Sequence, residues 1–313
     1  MGLAVVTGGA GFIGSHLSLK LAEAGHEVRI YDNYSAGGSP LLKENESCFR
    51  IYRADILDAG QLGEALEGAD YVFHNAAIRS IPRSTMDPLG TSRVNIQGTL
   101  NVLECARRNE VKRVILASSS SVYGNSAKIP FSESEKTEPG SFYSASKVAN
   151  EYHASLYAGL YGLDTISLRY FNVFGPAQDG SGPFSTVIPK FICAMMAGKR
   201  PVIEGDGNQA RDFTYVGNVV HANLLAMKAG KECAGKAFNV GQGERTTVNA
   251  VVEKLNSLLG SSILPLYAPA RPADMAHTQA DLSLSGKMLG YRPETSFDAG
   301  LAATARWFLD NRG

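Results

Sequence analysis

The sequence predicts an α/β fold: a doubly wound parallel sheet joined to a smaller mixed α/β lobe. Short apolar runs at 3–6, 27–31, 49–53, 71–74 and 114–117 alternate with stretches of helical period. This is the pattern of parallel strands buried on both faces by crossover helices. The first run leads directly into a glycine-rich turn that opens a helix, Thr7-Gly8-Gly9-Ala10-Gly11-Phe12-Ile13-Gly14. Near Tyr170 the rhythm changes, as Gly175-Pro176 and Asp179-Gly180-Ser181-Gly182-Pro183 interrupt the alternation and mark a crossing into the second lobe.

Taken in order, helices are predicted at 12–24, 61–66 and 94–108 between the strands, then a helix from Tyr143 to about Tyr161. Gly162 is a stop signal, and a strand at 165–168 follows it. Beyond the crossing, helices are predicted at 186–197, 219–229, 248–258 and 299–310. Segments 211–216 and 237–240 read as strands returning to the sheet region, so the two lobes interleave. The first lobe is placed at 1–170, with returning segments near 211–240, and the second at 171–313.

Composition narrows the function classes. The 313 residues carry 30 basic and 30 acidic side chains, with 44% hydrophobic and 19% charged residues. No run of like charge points to nucleic acid or a membrane surface, and neither is an expected partner. No apolar run reaches the roughly 18–20 residues that span a bilayer. The N-terminus enters a strand with no charged leader, so a cytoplasmic location is expected. Cys48, Cys105, Cys193 and Cys233 are far apart, and the six histidines lack ligand spacing, so no metal is expected.

In Gly8-x-x-Gly11-x-x-Gly14 each glycine has a task in a Rossmann-type nucleotide site. Gly8 permits a tight turn, Gly11 lets the backbone approach a pyrophosphate, and Gly14 lets the helix pack close to the strand. The helix N-terminus that follows favours phosphate. Asp32 ends the second strand, where a carboxylate accepts from an adenosine ribose and repels a 2′-phosphate. No cation follows until Lys43, which favours NAD over NADP. Asp55, after the third strand, suits either the adenine edge or a helix cap. Asn75-Ala76-Ala77 offers small residues past which a cofactor can run.

Tyr143 and Lys147 lie four apart, on one helix face. An ammonium beside a phenol favours phenolate and makes Tyr143 a usable base. The same spacing also describes a half-buried ring beside a solvated charge. The serine run 118–121 just upstream and the nucleotide turn favour the chemical reading.

These motifs, in this order, resemble the extended short-chain dehydrogenase/reductase family over essentially the whole chain. The resemblance rests on the turn at 7–14, Asp32-Asn33, Asp55-Ile56, His74-Asn75-Ala76-Ala77, Ser118-Ser119-Ser120, Tyr143-x-x-x-Lys147 and Arg169-Tyr170-Phe171-Asn172. Within that family the chain looks most like UDP-sugar 4-epimerases, through Arg169-Tyr170-Phe171-Asn172-Val173-Phe174-Gly175-Pro176 and Glu204-Gly205-Asp206-Gly207 followed by Arg211-Asp212-Phe213. The resemblance implies NAD as a tightly held cofactor. Its contacts would be Gly8, Gly11, Phe12, Ile13, Gly14, Asp32, Asn33, Asp55, Ile56, Asn75, Ala76, Ala77, Tyr143, Lys147 and Tyr170.

It further implies that Tyr143 takes the sugar 4-OH proton while hydride passes to NAD and returns to the other face of a 4-keto sugar. Lys147 would lower the Tyr143 pKa and hold the nicotinamide ribose, and Ser119 would bond the 4-oxygen, with Ser120 the alternative. For the UDP-sugar it implies Ser80, Ser119, Asn172, Thr186, Val187, Val202, Arg211, Arg271, Asp274 and Thr278. An exposed surface charge is the plain reading of either arginine.

Thr278 stands where glucose/galactose-restricted relatives carry a bulky Tyr. With Ser80-Ile81-Pro82-Arg83-Ser84 it points to room for a 2-N-acetyl group, although UDP-glucuronate epimerases are also small there. A homodimer is implied, through a four-helix bundle formed by the helices predicted at 94–108 and 144–161, although such a pair of helices could equally be buried within one chain. The rival readings are a dehydratase or a UDP-glucuronate epimerase or decarboxylase. Ser119 is followed by Ser120-Ser121-Val122, without the acidic pair of a dehydratase. A non-catalytic NAD-binding regulator is the rival of another class.

Overall fold

The computed structural model describes residues 1–124, 126, 128–182, 184–270 and 277–311. Strands β1 (Leu3–Thr7), β2 (Glu27–Tyr31), β3 (Arg50–Tyr52), β4 (Tyr71–His74), β5 (Arg113–Ser119) and β6 (Thr165–Tyr170) lie in one parallel sheet. Between them run α1 (Phe12–Glu23), α2 (Pro40–Glu44), α3 (Ala59–Leu66), α4 (Ile81–Met86), α5 (Pro88–Ser92), α6 (Gly98–Arg108) and α7 (Phe142–Tyr161). The second half adds β7 (Val173–Phe174), β8 (Val202–Glu204), β9 (Ala210–Arg211), β10 (Thr214–Tyr215), β11 (Lys236–Val240), β12 (Thr246–Thr247) and β13 (Leu266–Ala268). Its helices are α8 (Val187–Met196), α9 (Val216–Lys228), α10 (Val248–Leu259), α11 (Ser283–Leu289) and α12 (Phe297–Asp310).

The main sheet has seven strands in the order β11-β6-β5-β4-β1-β2-β3. Chain order reverses between β1 and β4, which opens a crevice beyond their carboxyl ends, the usual ligand position in a sheet of this type. One face packs against α1 and α9 through Leu17, Leu21, Val219 and Ala222; the other packs against α3 and α6 through Leu62, Leu66, Val102 and Leu103. Apolar burial on both faces explains why the strand sequences are continuous apolar runs. A separate core, centred on Phe191, Ile192, Phe213, Val251 and Leu301, joins α8, α10 and α12.

Three local differences from the sequence reading have physical causes. Segment 211–216 is not a strand of the main sheet. It divides into β9, which pairs with β12, and β10, which pairs with β7, because Asp212 between them turns its carboxylate inward to accept backbone N–H groups. Only 236–240 returns to the main sheet, as β11 beside β6. The helix read at 94–108 opens into a π-helical turn over Arg93–Gln97 before α6 begins. Helix α3 is capped by Asp58, whose side chain accepts from Gly60 and Gln61; the cap reading of Asp55 therefore falls away.

Candidate active site

The nucleotide turn is shaped by crowding. Gly8 has φ +68°, and a Cβ there would lie 2.6 Å from the Ala76 nitrogen, so the turn presses directly on the segment after β4. A Cβ on Gly14 would overlap the Gly8 carbonyl oxygen, which is how α1 begins so close to β1. Gly11 is the N-cap of α1, where a Cβ would come within 3.3 Å of the Gly8 carbonyl oxygen, and Phe12, Ile13 and Gly14 form the first helical turn. The first-turn amides have no partner within the helix and remain available to an anion.

Asp32 stands at the end of β2 with Oδ2 accepting from Ala10 N at 3.0 Å and Oδ1 from Tyr34 N at 2.7 Å. Burial raises its pKa, and these two amides oppose the rise. Asn33 donates to Asp55 Oδ2 at 2.8 Å, joining the ends of β2 and β3. Ile56 is buried beneath α6, where a side chain on Gly98 would collide with it. Asn75 Oδ1 is buried without a hydrogen-bond partner in the segment that also carries Ala76 and Ala77. An orphaned acceptor beside a glycine cradle and a ribose-type carboxylate fits a dinucleotide running across the ends of β1 and β4. Tyr170 differs: its ring is buried and its hydroxyl is engaged by Asn223 of α9 at 2.9 Å.

The residues expected to handle the proton come from two elements. Ser119 is the last residue of β5, and Tyr143 and Lys147 occupy the first two turns of α7, which starts at a capping box made by Ser141 and Ser144. Burial raises the Tyr143 pKa, while Ser119 and the charge of Arg79 lower it. Lys147 is buried, donates to Ala117 O at 2.7 Å, and lies 5.8 Å from the centre of the Tyr143 ring. Burial pulls its pKa down to about 8, against the pull of Glu151.

Behind these groups lies a network that the sequence reading missed. Asn95, in the π-turn, accepts from Ile78 N at 2.8 Å and donates to Ile78 O and to Ser146 Oγ, both at 3.0 Å. Ser146 in turn donates to Tyr143 O at 2.7 Å, so the segment after β4 is tied to the start of α7. Thr99 Oγ1 donates to Asn95 O, which leaves it to accept from His74 Nε2; Thr7 then donates to Nδ1. His74 is therefore neutral, and burial together with the Lys147 charge depresses its pKa to about 3. The available signal was a polar series, Asn95, Thr99, Ser146 and Asn150, on helix faces that are otherwise buried.

The residues assigned to the UDP-sugar are less gathered. Asn172, at φ +29°, donates to Asp212 O at 3.2 Å and to Thr278 Oγ1 at 3.1 Å. Thr278 is fully buried and its hydroxyl also accepts from Asp212 N. The Asp212 carboxyl is pushed by burial to about 6, although Ala280, Gln242 and Gly243 N–H groups stabilise its charge. Arg211 is buried in β9. Ser80 caps α4, Thr186 is the exposed N-cap of α8, Val187 packs on the second core, and Val202 is exposed at the start of β8. Arg271 and Asp274 lie outside the described residues.

Comparison with known proteins agrees with this architecture. Residues 4–241 match the model of the NAD dependent epimerase/dehydratase family. A UDP-glucose 4-epimerase of Mycolicibacterium smegmatis is 36% identical, over 97% of this chain and 97% of the relative. A solved UDP-N-acetylglucosamine 4-epimerase from Methanobrevibacter ruminantium, in complex with UDP-N-acetylmuramic acid, superposes with TM-score 0.93 at 39% identity, covering 99% of this chain and 98% of that one. A UDP-glucuronic acid 4-epimerase from Bacillus cereus, bound to UDP-glucuronic acid and NAD, gives TM-score 0.91 at 30% identity, with 98% and 99% covered. With the sheet order, the glycine turn and nearly full-length similarity in agreement, the chain belongs to the NAD-dependent epimerase/dehydratase family.

Proposed function

We propose that this protein is a UDP-sugar 4-epimerase acting on UDP-glucose/UDP-galactose and on the N-acetylated pair UDP-GlcNAc/UDP-GalNAc. The observation that carries this reading is the convergence of Ser119, at the carboxyl end of β5, with Tyr143 and the buried Lys147, whose ammonium lies 5.8 Å from the Tyr143 ring centre on the first turns of α7. When bound, NAD supplies the hydride acceptor and donor. Tyr143 takes the proton from the sugar 4-OH and gives it back, so it needs the phenolate form at the start of turnover. Ser119 steadies that phenolate and aligns the 4-oxygen, and Lys147 contributes a buried positive charge near the same end of the helix. Asn172 and Arg211 are the proposed diphosphate contacts, with Arg suited to a bidentate grip.

Thr278 supports the N-acetyl reading: a Tyr in place of this fully buried residue would displace Asn172, to which Thr278 is hydrogen-bonded. UDP-glucuronate is the second reading, because the Arg79 charge acts on Tyr143 and would favour an anionic sugar. A homodimer is part of the proposal. Tyr152, Leu156 and Leu160 recur every four residues on α7 and are 65%, 52% and 70% exposed, an apolar stripe that a second copy would cover.

The test is to incubate the protein with UDP-glucose, UDP-GlcNAc and UDP-glucuronate, with and without added NAD, and follow the sugar anomeric signals by NMR. The expected outcome is 4-epimer from the first two sugars, and a loss of roughly 10²–10⁴-fold in rate for Tyr143→Phe. Product from UDP-glucuronate alone would select the second reading. No epimer from any of the three sugars would refute the proposal.

A further inference from the structure

Beneath Ser119, Tyr143 and Lys147 lies a buried ion pair that the proposed reaction does not use. Glu151 follows Lys147 by four residues on α7, so the two side chains share one helix face. They anchor to neighbouring residues of β5: Lys147 donates to Ala117 O at 2.7 Å, and Ser118 Oγ donates to Glu151 Oε1. Together they bracket the strand end that carries Ser119. From β6, Arg169 closes on Glu151 with both arms, Nε at 2.9 Å from Oε1 and Nη2 at 2.7 Å from Oε2. Arg169 Nη1 reaches the Tyr123 hydroxyl at 2.8 Å, and Tyr123 donates to Asn239 Oδ1 at 2.7 Å.

Among the described residues, the charged and titratable groups around Lys147 are few. Tyr143 and Glu151 come from α7, His74 from β4 feels the ammonium charge, and Arg169 from β6 reaches it through Glu151. Ala117 of β5 contributes only its carbonyl. Lys147 and Arg169 are both nearly inaccessible to water, at 4% and 5% exposure. Without the Glu151 carboxylate, both buried cations would lose the anion that acts on them, and lysine is the one that can lose its proton.

We propose that Glu151 is a positioning residue: it holds the Lys147 ammonium charged and seated at the end of β5, and Arg169 sets how much of the carboxylate's field reaches it. This rests on the proton-transfer reading of Tyr143 and Lys147. The direction of the Lys147 titration is consistent with it, since burial lowers the ammonium pKa and Glu151 is the group that opposes the fall.

The test follows Lys147 protonation against pH by carbon NMR of its side chain in the full-length protein, with the signal assigned by its loss in Lys147→Met. Glu151→Gln is expected to lower the midpoint by about one pH unit or more, and Arg169→Met to raise it. Ser118→Ala, which leaves both charges in place, should shift it by no more than a few tenths of a unit. The alkaline limb of kcat/KM should move in the same direction as the midpoint in each variant. A midpoint unmoved by Glu151→Gln, or moved the same way by the Glu151 and Arg169 changes, would overturn the proposal. If Glu151→Gln does not fold, Arg169→Met decides alone: a rise supports the role, and a fall or no change removes it. The titration needs no substrate. The expected shifts in a protein that forms no epimer would refute the enzymatic reading and leave the role of Glu151 standing, whereas epimerisation without them would do the reverse.

Discussion

At Lys147 two demands oppose each other, because the proposed proton transfer calls for a positive charge and the surrounding core disfavours one. Its pKa, lowered from 10.5 to about 8, expresses that conflict as a stability cost. Below pH 8 both folded and unfolded chains hold the proton and the full cost is present. Between pH 8 and 10.5 the unfolded chain binds the proton that the folded one has released, so stability rises with pH. Denaturant melts of the wild type and Lys147→Met should therefore converge as pH climbs through this window. The pH-dependent part of their difference should be at most about 3 kcal/mol. Parallel curves would show that Lys147 is not held against its preference. The spacing of Tyr143 and Lys147 was legible in the sequence because helical geometry is local. The approach of Ser119 to Tyr143 joins residues 24 apart in sequence and has no local signature.

Among the elements, α7 carries the most function on one length of chain. Its inward side holds Ser146, Lys147, Asn150 and Glu151, while Tyr152, Leu156 and Leu160 form the exposed stripe. Replacing Leu156 and Leu160 together with Glu should yield monomer by analytical ultracentrifugation, with little change in thermal stability measured under monomeric conditions, since both side chains already face outward. A dimer that survives the double change would move the interface elsewhere. The helix read at 94–108 shows the opposite case, in which pattern identifies an element and misses its working detail. Its apolar period is real, yet the π-turn at 93–97 depends on partners contributed by α7 and by the segment after β4. Only the polar residues Asn95 and Thr99 hinted that this helix faces something other than core.

At the scale of the whole molecule, Asp212 ties three distant stretches together. Its carboxylate accepts from Gln242 N at 2.6 Å and from Gly243 N and Ala280 N, both at 3.0 Å, while its own backbone contacts Asn172 and Thr278. Asp212→Asn replaces one acceptor oxygen with an N–H donor facing other donors. The expected loss is roughly 2–3 kcal/mol by chemical denaturation, with weaker nucleotide-sugar binding by calorimetry. Unchanged binding would show that this tie does not organise the substrate side. The sequence offered little here, because Arg211-Asp212-Phe213 reads as an ordinary strand until the chain folds back on it.

Local signals account for what the sequence alone determined: alternation of apolar runs, a glycine turn between strand and helix, and a tyrosine and lysine one helical turn apart. These depend on periodicity and backbone sterics within a few residues, and they were sufficient for the parallel sheet, the nucleotide turn and the NAD-dependent family. Tertiary structure decided the rest. It divided segment 211–216 between two small sheets, buried Thr278 against Asn172 and paired Glu151, one turn after Lys147, with Arg169. Each of these depends on removing polar groups from water together and then satisfying them with partners from distant parts of the chain, and that matching exists only once the chain has folded.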